Sequence, residues 1–497
     1  MLLLVLPLSP TTNMGKRYTE THLTMEHSNS STEQSFDIDL EKTSNTKTEL
    51  KVSTEAIEVP EGTLPGWMTC AASFLFNCTT WGSNAAYSIY LAHYLKEGLF
   101  EGATKLDYAA VGGIAFGAGL NAAPFIRFCV NKTSVRKTIA FGGVLQLVGI
   151  LLAAFSTELW QIYLTQGVMI GYSLGFIGIP SMTLVAQWFR KRRSLAMAIS
   201  ASGSGVGGVV FNVAIQAALK SLGLRWAMII QGIMCTIFTI VGLLLVRTRE
   251  TQIKSVLKIW DWKMLFQPIY LIFATFVFTC LLGYVVLMYN LADFTLSLGY
   301  TAHQGSIVAC MISVGIVIGR PIVGKLADMF GPVTTMIASH VFVSVICFAM
   351  WLPARNLATS IAFAFLVGGT MGSIWVCNAA IVSRMCGLRK IDVGLSMMWF
   401  IVGAFGIVSP VIGIKLRGHA PVGALYDPSQ YKWPAVWCGL TYLASAIALW
   451  TLRGYLIARD RVAEEQGTAE DNDELHLRVS MKECIRDMFV RSKTRKV

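Results

Sequence analysis

Long apolar stretches alternate with short polar segments between residues 67 and 457. Each stretch approaches the ~20 residues that an α-helix needs to cross ~30 Å of hydrocarbon. The pattern therefore predicts an all-α membrane protein with twelve transmembrane helices. The predicted spans are 67–95, 107–129, 138–156, 160–187, 194–219, 225–246, 268–292, 305–327, 332–352, 357–382, 393–416 and 434–457.

The polar segment 247–267 separates the first six spans from the last six. It is short for an independent domain. Six plus six spans are typical of two related helix bundles around a cavity at the membrane midplane. We therefore predict five parts: an N-terminal tail (1–66), a first bundle (67–246), a central loop (247–267), a second bundle (268–457) and a C-terminal tail (458–497).

Charge is unevenly distributed in this chain of net charge +12. Residues 1–66 hold 5 basic and 10 acidic side chains, and residues 458–497 hold 9 of each. The segment between them holds 27 basic and 10 acidic side chains, interspersed between apolar runs, so we expect no nucleic-acid partner. The tails lack apolar periodicity and are predicted to be disordered, whereas a composition that is 54% hydrophobic excludes a wholly disordered chain.

Basic residues also predict the orientation of the spans. With both tails on one side, the loops and adjoining span ends on that side carry 17 basic residues, against 8 on the other. Loops rich in Lys and Arg face the cytoplasm. We therefore expect cytosolic termini in a multi-pass protein of the plasma membrane, with the vacuolar membrane as the alternative.

Residues for catalysis or metal binding do not form a recognisable group. The 11 cysteines are scattered without a CxxC pair, and no GxxxxGK[ST] phosphate-binding loop occurs. We expect neither an enzyme nor an ATP-driven pump, with no catalytic residue, metal or cofactor.

The strongest local feature is the segment 319–331, which reads GRPIVGKLADMFG. Gly324 allows two helices to approach closely, and Asp328 stands at a predicted helix end, where a carboxylate can cap or pair. Arg320 lies well inside a span, where a charge is costly and tends to face a wet cavity or a partner. Its guanidinium suits a carboxylate ligand; the alternative is a structural arginine that bonds carbonyl groups or reaches the interface.

A second feature is the segment 187–205, which reads QWFRKRRSLAMAISASGSG. The four bases from Arg190 to Arg193 mark the cytosolic side. Gly203, Gly205 and Gly208 formally match GxGxxG, but they lie in a membrane span instead of following a strand. We interpret them as tight helix packing.

These motifs resemble those of the monocarboxylate porter family within the major facilitator superfamily, closest to the fungal, yeast-type permease homologues. Glu61-Gly62 with Gly66-Trp67 resembles the family's entry motif, Trp188–Gly205 its fifth-helix signature, and Gly319-Arg320-Pro321 its eighth-helix arginine. The segment 324–328 is similar to the superfamily's G-x-x-x-D loop. The resemblance covers residues 61–457.

The resemblance implies a twelve-helix monomer that moves a small organic anion by alternating access, as a secondary active or facilitative transporter. Arg320 would bind a carboxylate substrate, while the loops of Asp328 and of Arg190 and Arg193, with Gly324, would hold the cytosolic gate. Polar and aromatic residues at mid-span complete the expected pocket lining: Asn84, Tyr87, Tyr289, Asn290, Asn378 and Trp399.

Two positions depart from the animal proton-coupled members of the family. Those members carry an Asp one turn before the arginine, where this chain has Ile316, and a Lys in the first helix, where it has Ala85. Proton coupling by that route is not expected, and Asp293 is the remaining coupling candidate. The first half also reads Asn131-Lys132 where the second half has its loop Asp.

Other functions stay open at this point. The first alternative is export of a secondary metabolite or uptake of a vitamin such as riboflavin, which a larger and more aromatic cavity would favour. The second is a non-transporting nutrient sensor, which the ordinary length of both tails argues against.

Overall fold

The computed structural model describes residues 61–100, 102–249, 258–418, 427–465 and 479–490, and these are almost entirely helical. The predicted N-terminal tail lies outside these residues, apart from 61–66. Twelve consecutive helical segments, α1 to α12, follow the twelve apolar stretches. They are α1 (64–97), α2 (105–132), α3 (Val135–Ala154), α4 (Leu159–Ala186), α5 (Arg193–Leu222), α6 (Leu224–Leu245), α7 (Pro268–Ser297), α8 (Ala302–Phe330), α9 (Pro332–Trp351), α10 (Leu357–Gly387), α11 (Lys390–Gly413) and α12 (Lys432–Glu465).

Ten of these helices, α3 to α12, are long and apolar enough to cross a membrane, and α2 makes eleven if its two parts are one span. The parts of α2 meet at an angle of 46° just before Pro124, because proline cannot continue the hydrogen-bond ladder. α1 has no single helix long enough to cross a membrane. It is divided into Leu64–Asn77, a π-helical turn at Cys78–Gly82, Ser83–Ala85 and Tyr87–Glu97. That α1 is a twelfth span stays a prediction.

Similar helix neighbours recur in the two halves of the chain. α1 packs on α5 and α6, and α7 correspondingly packs on α11 and α12. α2 packs on α4 as α8 packs on α10, and α3 packs on α6 as α9 packs on α12. The two halves meet chiefly along α5 with α8 and along α2 with α11.

Small residues bring these interface helices close together. A methyl group added at Gly205 of α5 would lie 2.7 Å from the carbonyl oxygen of Ser313 on α8. One added at Gly403 of α11 would lie 2.9 Å from the carbonyl oxygen of Gly117 on α2. The small residues of α5 therefore serve helix packing, as the sequence predicted for its glycine run.

The C-terminal region is more ordered than predicted. α12 continues to Glu465, and a short helix, α13 (Met481–Asp487), packs against it. Arg453 of α12 donates hydrogen bonds to the carbonyl oxygens of Met488 and Val490. The predicted disorder of 458–497 is therefore wrong for 458–465 and 479–490, because charged and aromatic side chains of α12 satisfy the backbone of this segment.

Candidate functional site

Arg320 lies in the second half of α8, and only 4% of its surface is exposed. Its Nη1 donates hydrogen bonds to the carbonyl oxygen of Ala201 (2.6 Å) and to Oγ of Ser204 (2.8 Å), both on α5. The Tyr284 hydroxyl of α7 lies near the guanidinium. Nε is buried and has no hydrogen-bond partner. No acidic side chain contacts this arginine among the residues that the structure describes.

An aromatic cluster surrounds this region, and we call it the tryptophan cluster: Trp81, Phe116, Tyr284, Trp375 and Trp399. The indole rings of Trp375 and Trp399 stack at 5.5 Å with only 4° between their planes. Trp375 also contacts Trp81 (6.1 Å) and the edge of Tyr284 (5.7 Å). Because Trp81 lies on α1 and Trp375 on α10, the cluster joins the two halves of the chain.

Two predicted lining residues belong to this region or adjoin it. Trp399 is a member of the tryptophan cluster, and its Nε1 is buried without a partner. Asn378 lies one helical turn beyond Trp375, and neither its amide nitrogen nor its oxygen has a hydrogen-bond partner. Unpaired buried polar groups are rare in folded proteins, so Asn378 and Trp399 have unused capacity to hydrogen-bond a ligand or water.

Tyr87 makes its contact away from Arg320. Tyr87 donates a hydrogen bond to the carbonyl oxygen of Tyr108 (2.8 Å) and so joins α1 to α2. Asn84 is half-buried in the short Ser83–Ala85 segment. The side chain of Tyr289 lies outside the described part of the structure.

Asn290 and Asp293 lie together near the far end of α7. Arg417 donates from Nε to Oδ1 of Asn290 (2.8 Å) and from Nη2 to Oδ2 of Asp293 (3.0 Å), and its guanidinium lies over the ring of Tyr431. Asp293 is 51% exposed. The coupling candidate is therefore an exposed, paired carboxylate, and Asn290 is one of its neighbours.

The opposite end of the bundle holds the basic segment, and we call it the basic end: residues 188–195, 328–331 and 384–392. The carboxylate of Asp328 accepts hydrogen bonds from the backbone amides of Ser194 (3.0 Å) and Leu195 (2.9 Å) at the start of α5. A carboxylate is stabilised there by free amides and by the helix dipole. Gly324 lets α8 approach, since a methyl group there would lie 2.7 Å from the Ser194 carbonyl oxygen.

Two further contacts hold the basic end. Arg193 donates from Nη1 to the Ser383 hydroxyl of α10, which joins the two halves. Glu61 accepts hydrogen bonds from the amides of Lys191 (2.9 Å) and Arg192 (2.6 Å). Arg190 is exposed. The entry motif thus packs on the segment that precedes α5.

Sequence reasoning missed a buried ion pair at the basic end. Arg127 of α2 lies 3.1 Å from Asp392 of α11, with 10% and 8% of these side chains exposed. Thr183 of α4 lies within hydrogen-bonding reach of Asp392. Neither charge stands in a motif, so the only available signal was that both fall near predicted span ends. Together with the contacts of Asp328 and Arg193, this pair joins the two halves of the chain at the basic end.

The sequence model of the Major Facilitator Superfamily matches residues 69–410. This chain belongs to the Major Facilitator Superfamily. "Probable transporter MCH2" of Saccharomyces cerevisiae is 44% identical over 439 residues, or 87% of this chain and 92% of that protein. "Uncharacterized transporter ESBP6" of the same yeast is 29% identical over 431 residues, or 84% of this chain and 63% of that protein.

A solved structure supports the same fold. The proton:xylose symporter XylE, bound to 6-bromo-6-deoxy-D-glucose, matches with a TM-score of 0.60 at 11% identity, over 85% of this chain and 98% of that chain. The superfamily fold predicted from the motifs is therefore confirmed, and the two yeast relatives are named as a probable and an uncharacterized transporter. As a superfamily member, the protein is a multi-pass membrane protein that handles a small molecule.

Proposed function

We propose that this superfamily member transports a small organic anion, of the monocarboxylate type, by alternating access. Arg320 carries the proposal. It is a buried cation with no acidic partner among the described residues, and its Nε lacks a hydrogen-bond partner. Burying an uncompensated charge costs several kcal/mol, and an anionic ligand at the guanidinium offsets part of that cost.

The surroundings of Arg320 fit a small anion with an apolar body. The tryptophan cluster supplies flat apolar surface, and the unpaired amide of Asn378 supplies both a donor and an acceptor. Ligand sites generally combine apolar walls with a few convergent polar groups. Asn84, Tyr87, Tyr289 and Asn290 complete the proposed lining only if the helices move during transport, because the structure holds Tyr87 and Asn290 in other contacts.

The proposed gate is the basic end, held by Asp328, Gly324 and Arg193, with Arg190 at its surface. We propose that the bundles 67–246 and 268–457 rock about the Arg320 site, with the basic end and both termini in the cytosol. With these contacts made, the structure would then be a state that exchanges substrate on the other side. The protein would act as a monomer, in the plasma membrane or the vacuolar membrane, with Asp293 as the coupling candidate.

A second candidate substrate is a planar ring compound, such as a vitamin or a secondary metabolite. The parallel stack of Trp375 and Trp399 favours this reading, since an indole face binds another flat ring well. The charge of Arg320 still favours a compound that carries an anionic group.

The deciding experiment measures uptake and efflux of labelled lactate, pyruvate, acetate, dicarboxylates and riboflavin in yeast that lacks its own carriers. Movement of a monocarboxylate above the empty-vector control supports the proposal. Movement of riboflavin without any carboxylate supports the second candidate. If no carboxylate moves while the protein is present in the membrane, the proposed function is wrong.

A further inference from the structure

The guanidinium of Arg320 is held at one corner by the opposite half of the chain. Its Nη1 bonds Ser204 Oγ at 2.8 Å, and Ser204 in turn donates to the carbonyl oxygen of Ala201 at 2.9 Å. That carbonyl also accepts from Nη1. These three groups on α5 and α8 form a closed triangle that fixes the position of Nη1.

The other edge of the guanidinium, formed by Nε and Nη2, faces a break in α10. The break lies between Leu357–Thr370 and the helix that begins at Ser373. A methyl group added at Gly372 would lie 2.9 Å from Nε and 3.0 Å from Nη2. The Gly372 backbone therefore packs directly against this edge without a side chain between them, and broken helices are common at transporter binding sites.

We propose that Ser204 and Gly372 are positioning residues that prepare the Nε–Nη2 edge of Arg320 for a substrate carboxylate. This inference rests on the proposed function. Ser204 anchors the corner that the substrate does not use. Because Nε is buried in this structure, a carboxylate binds the Nε–Nη2 edge through two parallel hydrogen bonds only once the break in α10 moves away from it, and Gly372 carries no side chain that would then cover the edge. Because Ser204 belongs to the other half of the chain, substrate affinity depends on the contact between α5 and α8.

Each position has a matched control nearby. Ser202 is also buried on α5, but its hydroxyl donates only to the Ile199 carbonyl oxygen within its own helix. Gly113 is buried in α2, and a methyl group there would meet its nearest atom only at 3.8 Å. Neither residue touches Arg320, so Ser202→Ala and Gly113→Ala report the general cost of such substitutions.

The experiment measures KM and maximal rate for labelled lactate and pyruvate, normalised to the amount of folded protein in the membrane. Loss of a hydrogen bond to a buried charged group predicts that Ser204→Ala raises KM about tenfold or more, and Gly372→Ala at least as much. Ser204→Thr, which keeps the hydroxyl, should recover most of the affinity. A lactate-dependent rise in Tm of the purified protein should weaken in parallel with KM.

The outcomes distinguish a failure of the positioning role from a failure of the proposed function. If KM stays unchanged in Ser204→Ala and Gly372→Ala relative to their controls, while Arg320→Lys loses carboxylate transport, the positioning role is wrong and the proposed function stands. If the wild-type protein moves neither lactate nor pyruvate, both fail. A loss of folded protein with unchanged KM in the remaining fraction identifies a merely structural role and also overturns the inference.

Discussion

Arg127 of α2 and Asp392 of α11 form a buried ion pair that joins the two halves of the chain at the basic end. In the corresponding contact of the second half, Asp328 of α8 binds backbone amides at the start of α5. The polarity is thus reversed, since α8 contributes an acid and α2 a base. The first half lacks the loop aspartate and reads Asn131-Lys132 in its place. The Arg127–Asp392 pair nevertheless supplies a charged contact between α2 and α11.

Removing one partner of this pair should open the basic end. Arg127→Ala leaves the Asp392 carboxylate buried without its cation, which costs about 3–5 kcal/mol for a buried pair. We expect faster hydrogen exchange of the backbone amides in 384–395 and a lower Tm. The exchanged pair Arg127→Asp with Asp392→Arg should restore both values in large part.

The matched control is the surface pair of Lys258 and Asp261, in which the lysine side chain is 61% exposed. Lys258→Ala should change the stability by less than about 1 kcal/mol, as is usual for exposed pairs. Equal effects of Lys258→Ala and Arg127→Ala, or no recovery in the exchanged pair, would contradict a latch between the two helices.

Asp328 should stabilise the same closed state through the start of α5. Asp328→Ala removes the acceptor of two amides, so we expect a loss of about 1–2 kcal/mol and faster exchange at 193–198. Asp427, which caps the Pro428–Tyr431 turn at the other end, is the control. Asp427→Ala should leave hydrogen exchange at 193–198 unchanged. If exchange at 193–198 is as slow in Asp328→Ala as in Asp427→Ala, Asp328 does not form a gating contact.

Much of the fold follows from the apolar pattern, because a helix that crosses lipid must be apolar over most of its length. The pattern does not reveal the π-helical turn at Cys78–Gly82 or the break before Ser373, since those depend on neighbouring helices. Arg320 and Asp328 stand in one short segment, so the sequence predicted them as functional residues. The pair of Arg127 and Asp392 was not predicted, because its members are far apart in the sequence and share no motif.

The sequence does not show which face of each helix points into the bundle, and this limited the prediction of the site. Tyr87 and Asn290 were predicted to line the cavity, yet Tyr87 donates to a backbone carbonyl of α2, and Asn290, near the far end of α7, donates to the Val286 carbonyl oxygen of its own helix. The sequence did not predict Trp81 and Trp375 as lining residues, although they belong to the tryptophan cluster with Trp399. Without knowledge of which face each helix turns inward, polarity alone does not distinguish a lining residue from one that joins two helices.

Arg320→Lys tests the geometry of the substrate contact. Lysine keeps the positive charge but lacks the planar fork that binds a carboxylate through two parallel bonds. We expect at least a tenfold fall in the ratio of maximal rate to KM for labelled pyruvate, at unchanged membrane abundance. Arg225→Lys is the control, since Arg225 lies over the Phe155 ring away from the site. Transport that is unchanged in Arg320→Lys would assign this arginine to helix packing.

Asp293→Asn tests the coupling candidate at the far end of α7. The substitution keeps the size of the side chain and removes the charge that pairs with Arg417 at 3.0 Å. The exposed pair contributes little to stability, so we expect normal abundance and Tm. If the carboxylate takes up the coupled proton, the dependence of transport on external pH should weaken while downhill exchange continues. Asp427→Asn changes another carboxylate at the same end and should keep the wild-type pH response; a wild-type response in Asp293→Asn as well would remove Asp293 from the coupling mechanism.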